Sequence, residues 1–225
     1  MKSLNQIAKV VAILTLLIAL VAPFSMIVVP SNILVSGDAA ATAANTAGSQ
    51  GLLRTSLAID ALVFLLEIVL VVALYELLKP VNATLALMAA FARLAMTIVQ
   101  GFNLLNHFIP LLLVGDPQYI SMLGESQLNA LVSLFLNAHQ SVEVIWGLFF
   151  ALHLLLAGIL VVHSGYIAKF AGAALLLASL AYFVQGFGAI LLPRFQSVFD
   201  TVGILSMVEL VFPIWLLAKR VNTPA

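Results

Sequence analysis

The chain reads as an all-α integral membrane protein, six transmembrane helices in a bundle with both termini in the cytoplasm and short interfacial helices on the outer side. Three observations predict this class. Of 225 residues, 64% are hydrophobic and only 8% charged; the mean hydropathy is +1.20; and six apolar runs reach the roughly 20 residues that cross a ~30 Å hydrocarbon core. So little polar surface cannot cover a soluble globule. The spans are expected at about 8–30, 52–78, 82–114, 138–163, 168–192 and 196–218. One transmembrane domain over residues 1–225 follows, with no soluble domain.

The first run, "VVAILTLLIALVAPFSMIVV", comes after Lys2 and Lys9, as a signal peptide would. It is longer than an ordinary apolar signal core and ends without a clear small-residue cleavage site, so it is read as a retained span. Lys2, Lys9, Lys79, Lys169, Lys219 and Arg220 fall at one set of span ends, against Arg54 and Arg194 at the other. The positive-inside rule therefore places both termini in the cytoplasm and the loops around 31–51 and 115–137 outside.

In the first outer loop, "SGDAAATAANTAGSQG" has Ser36 or Asp38 as N-cap, an Ala-rich body and Gly51 as a stop, the pattern of a short helix. In the second, "SQLNALVSLFLNAHQ" would extend the fourth span into a single helix of about 57 Å, far beyond the hydrocarbon core. A separate interfacial helix before that span is expected. There is no cysteine, which excludes disulfides, a thiolate nucleophile and Cys-ligated metals. A formal net charge of zero excludes a strongly basic nucleic-acid binder. The expected partners are the lipid bilayer and a small-molecule or ion ligand.

The second span, "AIDALVFLLEIVLVVALYELLKP", carries Asp60 and Glu67 in its interior. A carboxylate at mid-membrane costs at least ~2.5 kcal/mol, so each needs a partner, a proton or a watery cavity. The turn "KPVN" makes spans two and three an antiparallel hairpin, in which residues equally far from the turn share a depth. Glu67 and Arg93 are both about 18–20 Å from it, near the midplane, and should pair. By the same ruler Asp60 levels with Gln100 and, a turn on, Asn103, which are its expected amide partners.

Arg93, Gln100 and His107 recur every seven residues on the third span, with Asn103 and Asn106 beside them, so that face must point inward. His139, Glu143, Trp146 and His153 repeat at four, three and seven on the fourth. Gln185 falls on the fifth span, and Glu209 on the sixth, four residues before Pro213. Two layers are expected. The deep one holds Glu67, Arg93, His153 and Glu209; the outer one holds Asp60, Gln100, Asn103, His107, His139, Glu143 and Gln185. Gln185, Asn106 and Ser206 suit plain interhelical hydrogen bonding.

An outward-facing polar pocket that binds or translocates a small molecule, ion or proton is the leading reading. The alternative is an intramembrane hydrolase acting on a lipid or small amphiphile, with His139, Glu143 and Asp60 as zinc ligands. A second alternative is a structural or sensor protein. No cofactor is expected. His139 and His153 lie about 21 Å apart along one helix and cannot share a metal, and a haem pair finds only His107 as a facing histidine. "GFG" at 186–188 is read as a close-packing site.

The segments "GDAAATAANTAGSQGLLRTSLAID", "ALYELLKPVNATLALMAAFARL", "GFNLLNHF" and "HQSVEVIWGLFFALHLLLAGILVVHSG" resemble a bacterial multi-pass membrane family, domain-of-unknown-function family 4386. The likeness covers nearly the whole chain. It lies at Asp60, the "KPVN" turn, Arg93, Asn103, Asn106, His139 and His153, and departs at Met96, where relatives often carry Gln or Glu. The resemblance implies that Asp60, Arg93, Asn103, His139 and His153 form one site in the cytoplasmic (inner) membrane of a bacterium, and it assigns that site no activity.

Overall fold

The computed structural model describes residues 3–221. Every regular element among them is helical: α1 (Leu4–Pro23), a π-helical turn (Phe24–Val28), α2 (Val29–Ile33), α3 (Ala39–Gly48), α4 (Gln50–Leu78), α5 (Ala83–Asn103), α6 (Leu105–Gly115), α7 (Pro117–Leu123), α8 (Glu125–His163), α9 (Lys169–Leu191), a 3₁₀ turn (Pro193–Phe195), α10 (Gln196–Gly203), a 3₁₀ segment (Ile204–Leu210) and α11 (Val211–Ala218). Six continuous runs among the described residues are long and apolar enough to cross a membrane: Leu4–Ile33, Gln50–Leu78, Ala83–Gly115, Glu125–His163, Lys169–Leu191 and Pro193–Ala218.

Prolines account for the irregular turns. Pro23 and Pro30 lack an N–H, so the carbonyls of Ala19 and Met26 lose their usual donors, and the winding between the two prolines widens to π. In the third run Pro110 denies a donor to the Asn106 carbonyl, and the helix breaks at Leu104, whose carbonyl takes the His107 and Phe108 N–H groups, both at 2.9 Å. In the last run Pro213 denies one to Glu209, and the seven residues before α11, Ile204–Leu210, tighten to 3₁₀. Such a long 3₁₀ stretch is uncommon.

Two expectations need correction. The separate helix before the fourth span does not exist, because α8 is one helix of 39 residues. No proline interrupts it and its first glycine is Gly147, while Leu128, Val132 and Leu136 repeat every fourth residue on a buried face. Its start follows Gly124, whose φ of +76° ends α7. Asp38 caps α3 as expected, accepting the Ala41 N–H at 2.8 Å. Gly51, however, lies in the first turn of α4 and stops nothing, since α3 ends at Gly48.

The chain forms two compact units. One comprises Met1–Ile18, Leu65–Ile98 and Val144–Ala225; the other comprises Ala19–Phe64 and Val99–Glu143. The first unit has an apolar core of Ala8, Val11, Leu70, Leu77, Leu154, Leu160, Leu175 and Leu216, in which Met96 is also buried. Its α8 and α9 cross at glycines: a Cβ on Gly172 would lie 2.9 Å from the Gly158 carbonyl. The "GFG" glycines serve close packing, since a Cβ on Gly186 would meet Leu148 at 2.7 Å and one on Gly188 the Phe199 ring at 2.5 Å. At the "KPVN" turn Asn82 caps α5, accepting the Leu85 N–H at 3.0 Å. Beyond α8 the Tyr166 hydroxyl donates to the Leu77 carbonyl at 2.6 Å, and burial pushes its phenol up to about 12.

The second unit has its own core, where Val29, Ile33, Leu53, Leu57, Leu104 and Leu111 pack with Leu128, Val132 and Leu136 of α8. Burying these side chains stabilises a unit even where lipid replaces water outside, because packed interiors gain dispersion contacts.

Candidate functional site

In the second unit the break at Leu104 positions the polar groups. Because His107 and Phe108 turn to the Leu104 carbonyl, the Asn103 carbonyl is left for another donor. His139 Nδ1 takes it at 3.3 Å, and Asn103 Nδ2 donates in return to the His139 carbonyl at 2.9 Å. Asn103 Nδ2 also reaches Gln100 Oε1 at 3.2 Å, and its own Oδ1 accepts from Asn106 Nδ2 at 2.8 Å. α5, α6 and α8 are thereby joined through one amide network.

A carbonyl can only accept, so this bond assigns the His139 proton to Nδ1. Nε2 then carries the lone pair, and it lies 3.5 Å from Glu143 Oε1, one helical turn along α8. The contact becomes an ion pair when Nε2 takes a second proton. The rings of His107 and His139 stack, centroids 3.7 Å apart and planes 17° from parallel. Each histidine is only 2% exposed, and His107 Nδ1 has no hydrogen-bond partner. Both rings line a small cavity with Ile33, Leu53 and Leu136 that leaves about 10 Å³ free, room for a single water.

Asp60 is buried in the same unit, in electrostatic reach of His139 and Glu143. Its neighbours correct the expectation of amide partners. Asn103 is committed to Gln100 and to the His139 carbonyl, and the buried hydroxyls of Ser25 and Ser56 near the Asp60 carboxyl make no hydrogen bond. Ser25 stands in the π turn, and Ser56 is four residues before Asp60 on one face of α4. Neither serine was singled out from sequence, where a hydroxyl in an apolar run carries little signal. Among the described residues no three His, Asp or Glu side chains converge as metal ligands, so His139, Glu143 and Asp60 do not form the zinc set of the hydrolase alternative.

The first unit holds the other residues. Arg93 Nε donates to Glu67 Oε2 at 2.6 Å and Nη2 to Oε1 at 2.9 Å, the pair expected from the hairpin. The guanidinium also lies 5.4 Å from the centre of the Phe150 ring. His153 donates from Nδ1 to the Ala89 carbonyl at 2.9 Å and stacks on the other side chain of its helix face, Phe150, at 6.1 Å. Glu209 lies in electrostatic reach of Glu67 and Arg93. Gln185 belongs to this unit, where its amide donates to Asp200 at 3.5 Å.

Six apolar helical runs carrying buried, paired polar groups define a multi-pass membrane protein. The family described as Domain of unknown function (DUF4386) matches residues 10–219, and the chain belongs to that family. An uncharacterized protein of Archaeoglobus fulgidus is similar, 26% identical over 159 residues that make up 70% of this chain and 79% of the relative. No solved structure matches the chain.

Proposed function

We propose that the protein binds and translocates a proton through a polar pocket centred on His139, as one case of a pocket for a small molecule, ion or proton. The observation that carries this reading is the asymmetry of His139. Asn103 holds Nδ1 as the donor, which leaves Nε2 as a proton acceptor 3.5 Å from the Glu143 carboxylate. A proton arriving there makes an imidazolium facing a carboxylate, a favourable pair in a low-dielectric site.

His107 stacks on the same ring with an unpartnered Nδ1, and Asp60 supplies a further carboxyl. The adjoining cavity has room for a water and not for an amphiphile, which favours a proton over a larger solute. We assign the pocket to the outward side of the membrane on the charge asymmetry of the span ends, and that membrane to the cytoplasmic (inner) membrane of a bacterium on the family resemblance alone.

Reconstituted liposomes with an entrapped pH dye test this. An imposed pH gradient, with potassium and valinomycin clamping the potential, should collapse faster with the wild-type protein than in protein-free vesicles. His139→Ala and Glu143→Gln should return the rate to the protein-free value. Equal rates for wild type and empty vesicles would remove the proton reading.

A further inference from the structure

Glu67 and Arg93 satisfy each other, yet a second carboxyl lies beside them. Both oxygens of Glu67 are taken by the guanidinium, whose plane is covered by Phe150. Glu209 is therefore left over in the charge balance: two carboxyl groups share one arginine. Its Oε2 is buried and has no hydrogen-bond partner. A bare carboxylate oxygen inside an apolar span is costly unless something positive sits on it.

The 3₁₀ winding of Ile204–Leu210 explains how other oxygens come to the same place. At three residues per turn, Ser206 and Glu209 eclipse one another, a closer alignment than the ~60° offset of the same pair in an α-helix. Ser206 is buried, and Tyr182 of α9, whose ring packs edge-on against Phe150, centroids 5.2 Å apart, and against Trp146 at 6.3 Å, lies near both Ser206 and Glu209. One carboxylate and two hydroxyls, all hard oxygen donors, are thus gathered on aromatic walls. Among the charged or titratable groups near Glu209 are Glu67 and Arg93, from α4 and α5, and Tyr182, from α9.

We propose that Glu209, Ser206 and Tyr182 form a binding site for one compact monovalent cation, a proton or an alkali ion. Oxygen-only donors suit such hard cations, and a single charge restores the balance that Arg93 leaves incomplete. The site shares no residue with the His139 pocket, so either can fail without the other.

The full-length protein in lipid nanodiscs is melted in NaCl, LiCl or choline chloride at matched ionic strength and fixed pH, wild type beside Glu209→Gln. Infrared spectra of the same samples report the carbonyl stretch of a protonated carboxylic acid. A saturable rise in Tm with Na⁺ or Li⁺ over choline, absent in Glu209→Gln, identifies an alkali ion. An acid carbonyl band in the wild type that vanishes in Glu209→Gln, with no alkali effect, identifies a proton.

A wild type that melts cooperatively and shows neither overturns the proposal. Should Glu209→Gln not fold, Ser206→Ala and Tyr182→Phe leave the carboxyl in place. Each is expected to weaken the alkali effect about tenfold, or to shift the acid band, through loss of one oxygen contact to a charged group. No change in either variant overturns the assignment of those hydroxyls and, with it, the site.

Discussion

Arg93 and Glu67 meet in a two-point ion pair, Nε to Oε2 at 2.6 Å and Nη2 to Oε1 at 2.9 Å, with both side chains about 5% exposed. Removing one partner strands the other's charge in an apolar interior. Arg93→Ala should cost about 3–5 kcal/mol, whereas the double change with Glu67→Ala should cost much less than the two single losses added. Thermal unfolding of the single and double variants in detergent reads this directly. A double variant whose loss equals the sum of the two single losses would contradict a coupled pair.

Asn103 is the hub of the other polar cluster, bonded to Gln100, Asn106 and the backbone of His139 and only 2% exposed. Interhelical hydrogen bonds in membranes are individually modest, so Asn103→Leu should lose about 1–2 kcal/mol. Asn137 on α8 is exposed and its side chain bonds only to Ser133 one turn away, so Asn137→Ala should lose less than about 0.5 kcal/mol. Unfolding by SDS titration compares them. A similar loss for both variants would remove the network from the account of stability.

The Glu67–Arg93 pair was legible before any coordinates because one tight turn joins its two helices. Equal arc length from that turn then means equal depth, and depth plus opposite charge leaves few partners. Inward burial of Gln100, Asn103 and His107 was legible for a similar reason, since a seven-residue polar period in an apolar helix has only one stable side to face. The His107–His139 stack was not legible. It depends on the break at Leu104, which Pro110 signals only weakly at six residues' distance, and on rotamers that spacing does not encode. Asp60 shows the same limit: depth offered Gln100 and Asn103, but depth does not encode that Asn103 is already committed to Gln100, Asn106 and the His139 carbonyl. α8 is one helix where the sequence predicts two, because hydrocarbon thickness does not limit the length of a helix that packs on protein. Leu128, Val132 and Leu136 bury against protein, and a helix so packed needs no bilayer to continue.

Tyr166 ties the turn after α8 to the end of α4 through its bond to the Leu77 carbonyl. Burial disfavours the phenolate, so the folded protein holds that proton up to about 12, while an unfolded tyrosine releases it near ~10. The raised folded value means that the stabilisation is complete below the unfolded value and is lost as pH rises through this window. Tyr166→Phe should therefore cost about 1 kcal/mol near neutrality. The deficit should shrink between pH ~10 and ~12 as the wild type weakens and the variant does not. Paired melts across that range check it; a constant difference would remove the phenol proton as the cause.

Gly172 lies where α9 meets α8 at backbone distance. A Cβ there would fall 2.8 Å from the Val162 nitrogen and 2.9 Å from the Gly158 carbonyl oxygen. Neither atom can move aside alone, because both belong to the facing helix backbone, so the helices must separate along their contact. Gly172→Ala should destabilise by about 1–3 kcal/mol, the usual cost of overpacking. Gly51→Ala is the counterpart: that glycine is exposed in the first turn of α4 with nothing within 4 Å of its Cβ position. Helix propensity then acts without opposition, and the change should stabilise by as much as ~1 kcal/mol. Melting temperatures of the two variants should move in opposite directions, and a fall for both would mean that loss of glycine flexibility, and not the close crossing of α8 and α9, governs the first result.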